Sequence, residues 1–267
     1  MTIVAMTATS CGSRDESPKA LVLYYSLTGN TKMVAEEIAS QLGADIEEVT
    51  CVSPYDTNFQ ACIQRCLQER EEGTVTEINP VKADLSKYDV IFIGYPVWFG
   101  TYAPPIATFL ANNDLGGKKI VPFCTFGSGG LESSVKDLMN AQPYAVVQDG
   151  YGVRAARLEA MPAEVDQFLK ANGFLKGEYS VLDEFPEQHE VSADEATIFD
   201  AAVDGYPMLH AQAVRVASRT LPNGTEYFFT AKDMPREDKA DMPPAGEIQI
   251  YVTVIDGQSP VFTRVVR

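Results

Sequence analysis

The run Leu21-Val22-Leu23-Tyr24-Tyr25, followed directly by Ser26-Leu27-Thr28-Gly29-Asn30-Thr31, constrains this chain more than any other stretch. Five consecutive apolar or aromatic residues read as a short strand buried on both faces, as in the interior of a parallel sheet. A loop of small and polar residues follows. From Lys32 a helix begins, in which Met33, Val34, Ile38 and Leu42 recur at near-helical spacing. A strand, a tight hydroxyl-rich loop and a helix N-terminus together make an anion site. The first N–H groups of the helix lack intrahelical partners, and the helix dipole favours negative charge there. Ser26, Thr28 and Thr31 add hydroxyl donors, and Gly29 permits a turn that a side chain would obstruct. No lysine stands inside the loop, so it is not the nucleotide P-loop, which needs Gly-Lys-Ser/Thr. The plain alternative is an ordinary strand-to-helix turn capped by Asn or Thr.

Further along, strand and helix patterns alternate. Ala44–Val49 suits a second, less buried strand, and Tyr55–Glu72 is helix-compatible with Phe59, Cys62, Ile63 and Cys66 on one stripe. Asp89–Gly94 is a buried strand, and Pro104-Pro105 opens a helix through Leu110. Ile120–Phe126 is the next strand, with Val135, Leu138 and Met139 marking the helix after it. Tyr144–Gln148 is a last strand-like piece, and Pro162–Asn172 is a closing helix stopped by Gly173. Five such units in about 155 residues predict a doubly wound parallel sheet, with ligands beyond the C-terminal strand ends.

Three loops in register carry a family resemblance. Ser26, Leu27, Thr28, Gly29, Asn30 and Thr31 resemble the flavodoxin phosphate loop, which holds the phosphate of FMN. Pro96, Val97, Trp98, Phe99, Gly100 and Thr101 resemble the second flavin loop, where an aromatic ring packs against the isoalloxazine. Trp98 offers the largest stacking face; core packing is its plain alternative. Thr125, Phe126, Gly127, Ser128 and Gly129 resemble the third loop, where glycines let backbone N–H groups approach the ring. The resemblance covers residues 19–178 and implies a flavodoxin-like five-stranded α/β domain binding FMN.

Residues 183–267 change character. An acidic connection, Asp183–Glu190, leads to a short helix over Asp194–Val203. Leu209–Thr220, Thr225–Ala231, Ile248–Val254 and Val261–Val266 then read as strands. Pro222-Asn223-Gly224 is a strong hairpin turn, and Met234–Gly246 a long loop. One helix before antiparallel strands resembles the cystatin-like fold. The inhibitor motif Gln-Val-Val-Ala-Gly is missing, so protease inhibition is not implied.

The net charge of −16 divides evenly, −8 in residues 20–178 and −8 in 179–267. Such a surface repels nucleic acid and anionic lipid headgroups. Five cysteines without a Cys-x-x-Cys pair, and only His189 and His210 as imidazoles, argue against a zinc site. Cys62 and Cys66, four apart on one helix, are poorly placed for a disulfide. Ile3–Ser10 is mildly apolar and precedes Cys11-Gly12-Ser13, resembling the end of a bacterial lipoprotein signal with Cys11 as the lipidated residue. It departs from that pattern in lacking a basic region and in having Ala8 where Leu is usual. The implied location is the cell envelope, with residues 1–18 as a signal-like tail carrying the lipidation site; the alternative is a tail without structure on a cytoplasmic protein. Membrane attachment would run only through Cys11.

The first functional expectation is an FMN electron-transfer protein with an accessory domain, passing electrons to a redox protein or small-molecule acceptor. In an acidic protein anionic reduced flavin is disfavoured: an unscreened charge ~10 Å away in water costs roughly 0.4 kcal/mol, or ~20 mV for one electron. The second is an FMN-dependent NAD(P)H:quinone or flavin reductase, with the nicotinamide binding over the flavin because no separate dinucleotide fingerprint is present. The third is a flavin-free envelope binding module. Residues 1–178 contain no histidine, so imidazole acid–base chemistry is not available from that part.

Overall fold

The structure, a computed structural model, describes residues 19–204, 206, 209–234 and 246–266. Cys11 and the tail 1–18 lie outside the described residues, as does most of the long loop expected over Met234–Gly246.

The first half alternates strand and helix. The order is β1 (Ala20–Tyr24), α1 (Asn30–Leu42), β2 (Asp45–Glu48), α2 (Phe59–Glu72), β3 (Val90–Trp98), β4 (Thr101–Tyr102), α3 (Pro104–Asn112), β5 (Lys119–Phe126), α4 (Leu131–Ala141), β6 (Val146–Val147), β7 (Tyr151–Arg154) and α5 (Met161–Ala171). Strands β2, β1, β3, β5 and β6 lie side by side in that order, all parallel, and β7 also pairs with β5. The apolar strand residues alternate between two cores, as a sheet covered on both faces requires. Leu21, Leu23, Ile91 and Ile93 face α2, α3 and α4, while Val22, Phe92, Val121 and Phe123 face α1 and α5.

Four local differences from the sequence reading have physical causes. Helix α2 starts at Phe59 instead of Tyr55, because the Asn58 side chain caps it by accepting from the N–H groups of Gln60 and Ala61. Tyr55 is thereby left to turn inward. The expected last strand over Tyr144–Gln148 is two pieces, β6 against the start of β5 and β7 against its end. The break falls beside Pro122, which has no N–H to offer the ladder. Strand β3 runs past Gly94 to Trp98 and reverses into β4, so the second loop is a hairpin. Met33 and Met139 sit on the solvent sides of their helices, where Val34, Ile38 and Leu138 take the buried positions.

The second half is a smaller antiparallel α+β domain: β8 (His189–Glu190), α6 (Ala193–Val203), β9 (Ala211–Leu221), β10 (Gly224–Asp233), β11 (Glu247–Ile255) and β12 (Val261–Val266). Its sheet runs β12-β11-β10-β9-β8. Helix α6 begins with a reciprocal capping box between Ser192 and Glu195. Phe199 of α6 packs on Phe229 of the sheet, with Val216, Ile250 and Phe262 in the same core. Strand β8 is an addition to the sequence reading; only two residues long, it falls within the acidic connection. No helix among the described residues is long and apolar enough to cross a membrane.

Candidate functional site

The C-terminal ends of β1, β3 and β5 converge, and each continues into one of the three loops singled out in the sequence. In the first loop Ser26 Oγ accepts from the N–H groups of Gly29 (3.2 Å) and Lys32 (3.3 Å), which draws the loop into a tight turn. Helix α1 has Gly29 at its N-cap, with no side-chain cap. No described residue supplies an acceptor for the N–H groups of Asn30 and Thr31. Orphan donors at a helix start, with an exposed Thr28 hydroxyl beside them, form a cradle for an anion such as a phosphate ester. Thr31 takes a second role in joining the loops. It is buried, and its hydroxyl pairs with that of Thr125 at 2.8 Å, tying the first loop to the third.

The second loop turns on Phe99 and Gly100, with φ of 51° and 82°. Both are left-handed, as a two-residue hairpin matching strand twist demands. Glycine meets that demand freely, whereas Phe99 is a non-glycine residue in a costly conformation. Trp98 is half-buried: its ring meets Tyr25 edge-on at 5.9 Å and Tyr55 at 5.1 Å. Phe99, 52% exposed, is the open aromatic of the pair, with the Arg70 guanidinium 5.5 Å from its ring centre. Beside this hairpin lies a cleft of 760 Å³ whose walls include Arg70, Trp98, Phe99, Tyr102, Pro104 and Asp137.

Tyr55 supports Trp98 from below. Its hydroxyl bonds Glu69 and lies 2.7 Å from Thr76 Oγ1, and the Arg65 guanidinium covers its ring at 4.0 Å while pairing with Glu69 at 2.8 Å. Burial, and then the bond to Glu69, push the Tyr55 phenol well above its ordinary pKa, so it stays protonated. The sequence reading missed this support because Tyr55 was assigned to the helix; the Asp56–Asn58 capping pattern was the available signal.

In the third loop the buried Thr125 and Phe126 end β5, and Gly127 to Gly130 follow. It packs on the second loop: Ser133 Oγ donates to Gly100 O, and a side chain at Gly130 would strike Val97. No described residue accepts from the N–H groups of Ser128 or Gly129. All three loops therefore meet, and two of them present unpartnered backbone donors. These suit one ligand with an anionic end and a planar, acceptor-rich end.

A parallel sheet of this order, with such loops at its carboxyl edge, defines a flavodoxin-like fold. The family model described as Flavodoxin matches residues 19–165, more than half of the chain, and the protein belongs to that family. FMN is consistent with this fold as its cofactor, and the donor set fits it. Over 131 residues the chain is 34% identical to NAD(P)H dehydrogenase (quinone) 3 of Rhizobium meliloti (strain 1021), a match covering 44% of this chain and 58% of the relative. The chain thus spans little more than half the length of that relative. A flavoprotein of Lactobacillus acidophilus NCFM, solved in complex with FMN, is 29% identical, with a TM-score of 0.46, covering 56% of this chain and 97% of the other. Its apo-form is 24% identical at a TM-score of 0.44, covering 60% and 98%.

Proposed function

We propose that the protein is an FMN-dependent oxidoreductase of the NAD(P)H:quinone or flavin reductase kind. Similarity of its flavodoxin-like part to a quinone dehydrogenase carries this reading. Ser26, Leu27, Thr28, Gly29, Asn30 and Thr31 would hold the phosphate end of FMN. Pro96, Val97, Trp98, Phe99, Gly100 and Thr101, with Thr125, Phe126, Gly127, Ser128 and Gly129, would hold the ring. FMN, when bound, supplies the redox chemistry. The chain's own residues bind, orient and exclude water. The cleft beside Phe99 supports the reading because it gives a second planar substrate room next to the ring loop, with Arg70 as its cation.

One observation favours a second reading, a one-electron carrier: the net charge of −16, which lowers the flavin potential and suits a basic redox partner. The two readings separate on turnover. FMN-loaded protein should consume NADH or NADPH steadily with a benzoquinone acceptor. Bound FMN without nicotinamide oxidation above the free-flavin background would leave the carrier. A colourless protein that refuses FMN would overturn both in favour of a flavin-free binding module.

The chain reads as a tail 1–18, a flavin domain 19–178 and an accessory domain 183–267. One helix on an antiparallel sheet supports a cystatin-like description of the last, and the Cys11 junction supports an envelope lipoprotein in preference to a cytoplasmic protein. Mass spectrometry of the protein from its own host, showing Cys11 lipidated or free, tests the anchor.

A further inference from the structure

The C-terminal domain does not hang free of the third loop. Arg154, the last residue of β7, is buried. Its Nε donates to Gly127 O at 2.9 Å, and its Nη1 donates to Phe262 O of β12 at 2.6 Å. The guanidinium also lies over the Phe262 ring, 3.4 Å from its centre. The Val265 N–H, three residues further along β12, donates to Ser128 O at 2.6 Å. At the rim Arg264 pairs with Glu132 at 3.1 Å. Gly129 lies so close to β12 that a Cβ there would stand 2.2 Å from Val265 O. The glycine is thus accounted for by the strand that lies on it, independently of any ligand.

Two successive carbonyls, those of Gly127 and Ser128, are therefore held toward the C-terminal side. A trans peptide plane carries its C=O and the next N–H in opposite directions. Holding these carbonyls turns the N–H groups of Ser128 and Gly129 the other way, and these are the donors left without a described acceptor. We propose that the C-terminal domain is a working part of the flavin site: β12, fastened through Arg154 as positioning residue, sets the direction of the loop donors offered to the isoalloxazine. The proposal rests on the FMN reading above.

The test uses the full chain. Arg154→Lys keeps the charge but lacks the planar fork needed to hold two carbonyls. In the flavin-free protein, amide exchange at Val265 should accelerate about tenfold or more. FMN and riboflavin, which share the ring, should both weaken by about tenfold, with their affinity ratio unchanged. If Arg154→Lys does not fold, the exposed pair serves instead: Arg264→Glu should weaken both flavins, and adding Glu132→Arg should restore them. Faster exchange at Val265 with both affinities within about twofold of wild type would overturn this proposal alone. A wild type that binds neither flavin would overturn the FMN reading and this proposal with it.

Discussion

The hydroxyl oxygens of Thr31 and Thr125 lie 2.8 Å apart across 94 positions of sequence. The bond joins the first turn of α1 to the end of β5, and both residues are almost fully buried. It holds the anion loop and the third loop at a set separation before any ligand arrives.

Thr28 and Thr31 should therefore behave differently. Thr31→Val strands the Thr125 hydroxyl in the interior and should cost about 1–3 kcal/mol of stability, with FMN and riboflavin weakened alike. Thr28 is exposed, so Thr28→Ala should leave the melting temperature unchanged and weaken FMN more than riboflavin. Equal losses of both flavins in Thr28→Ala would show that its hydroxyl only shapes the turn.

Phe99 holds a left-handed backbone with its ring half exposed. In Phe99→Gly, relief of about 1–2 kcal/mol of strain is offset by about 0.5–1 kcal/mol of extra freedom in the unfolded chain. Denaturant unfolding should thus show little change, while flavin affinity falls by about tenfold. A large stability loss with unchanged affinity would assign the ring to packing.

Trp98 is the only tryptophan and half-buried on Tyr25 and Tyr55. Trp98→Ala should cost about 2–3 kcal/mol, below the value for a fully buried indole, and Trp98→Phe should recover most of it. Titrating FMN into the apoprotein should quench the Trp98 emission, with one flavin per chain at the endpoint. Emission indifferent to saturating FMN would move the ring away from this hairpin.

Four cysteines, Cys51, Cys62, Cys66 and Cys124, are free and buried. Burial pushes their thiols up, to about 11 for Cys51 and about 12 for Cys66. A raised thiol pKa leaves the reactive thiolate scarce until pH approaches that value, so at pH 8 only about one Cys51 in a thousand is ionised. In native protein Cys51, Cys62, Cys66 and Cys124 should resist alkylation, and all four should react in denaturant. Rapid modification of Cys62 or Cys66 at pH 8 would mean that α2 opens readily.

Much was legible in the sequence because it is written in near neighbours. The buried runs Leu21–Tyr25 and Ile120–Phe126 read as interior strands, and Pro104-Pro105 and Gly173 marked a helix start and a helix end. Val261–Val266 was legible to the residue. Tyr55 misled because a single aromatic beside a capping sequence satisfies a helical stripe as well as a core contact. The break between β6 and β7 was hidden because it answers to Pro122 on the neighbouring strand.

By itself, then, the sequence determined the strand–helix alternation, the three loops and the composition of their donors, since periodicity and turn chemistry act over a few residues. Only the tertiary structure decided that Thr31 faces Thr125, that Trp98 rests on Tyr55, and that Arg154 reaches Phe262 across 108 positions. Such pairings form only when sheet closure brings distant segments together, and no local pattern in the chain encodes the direction from which a partner will arrive.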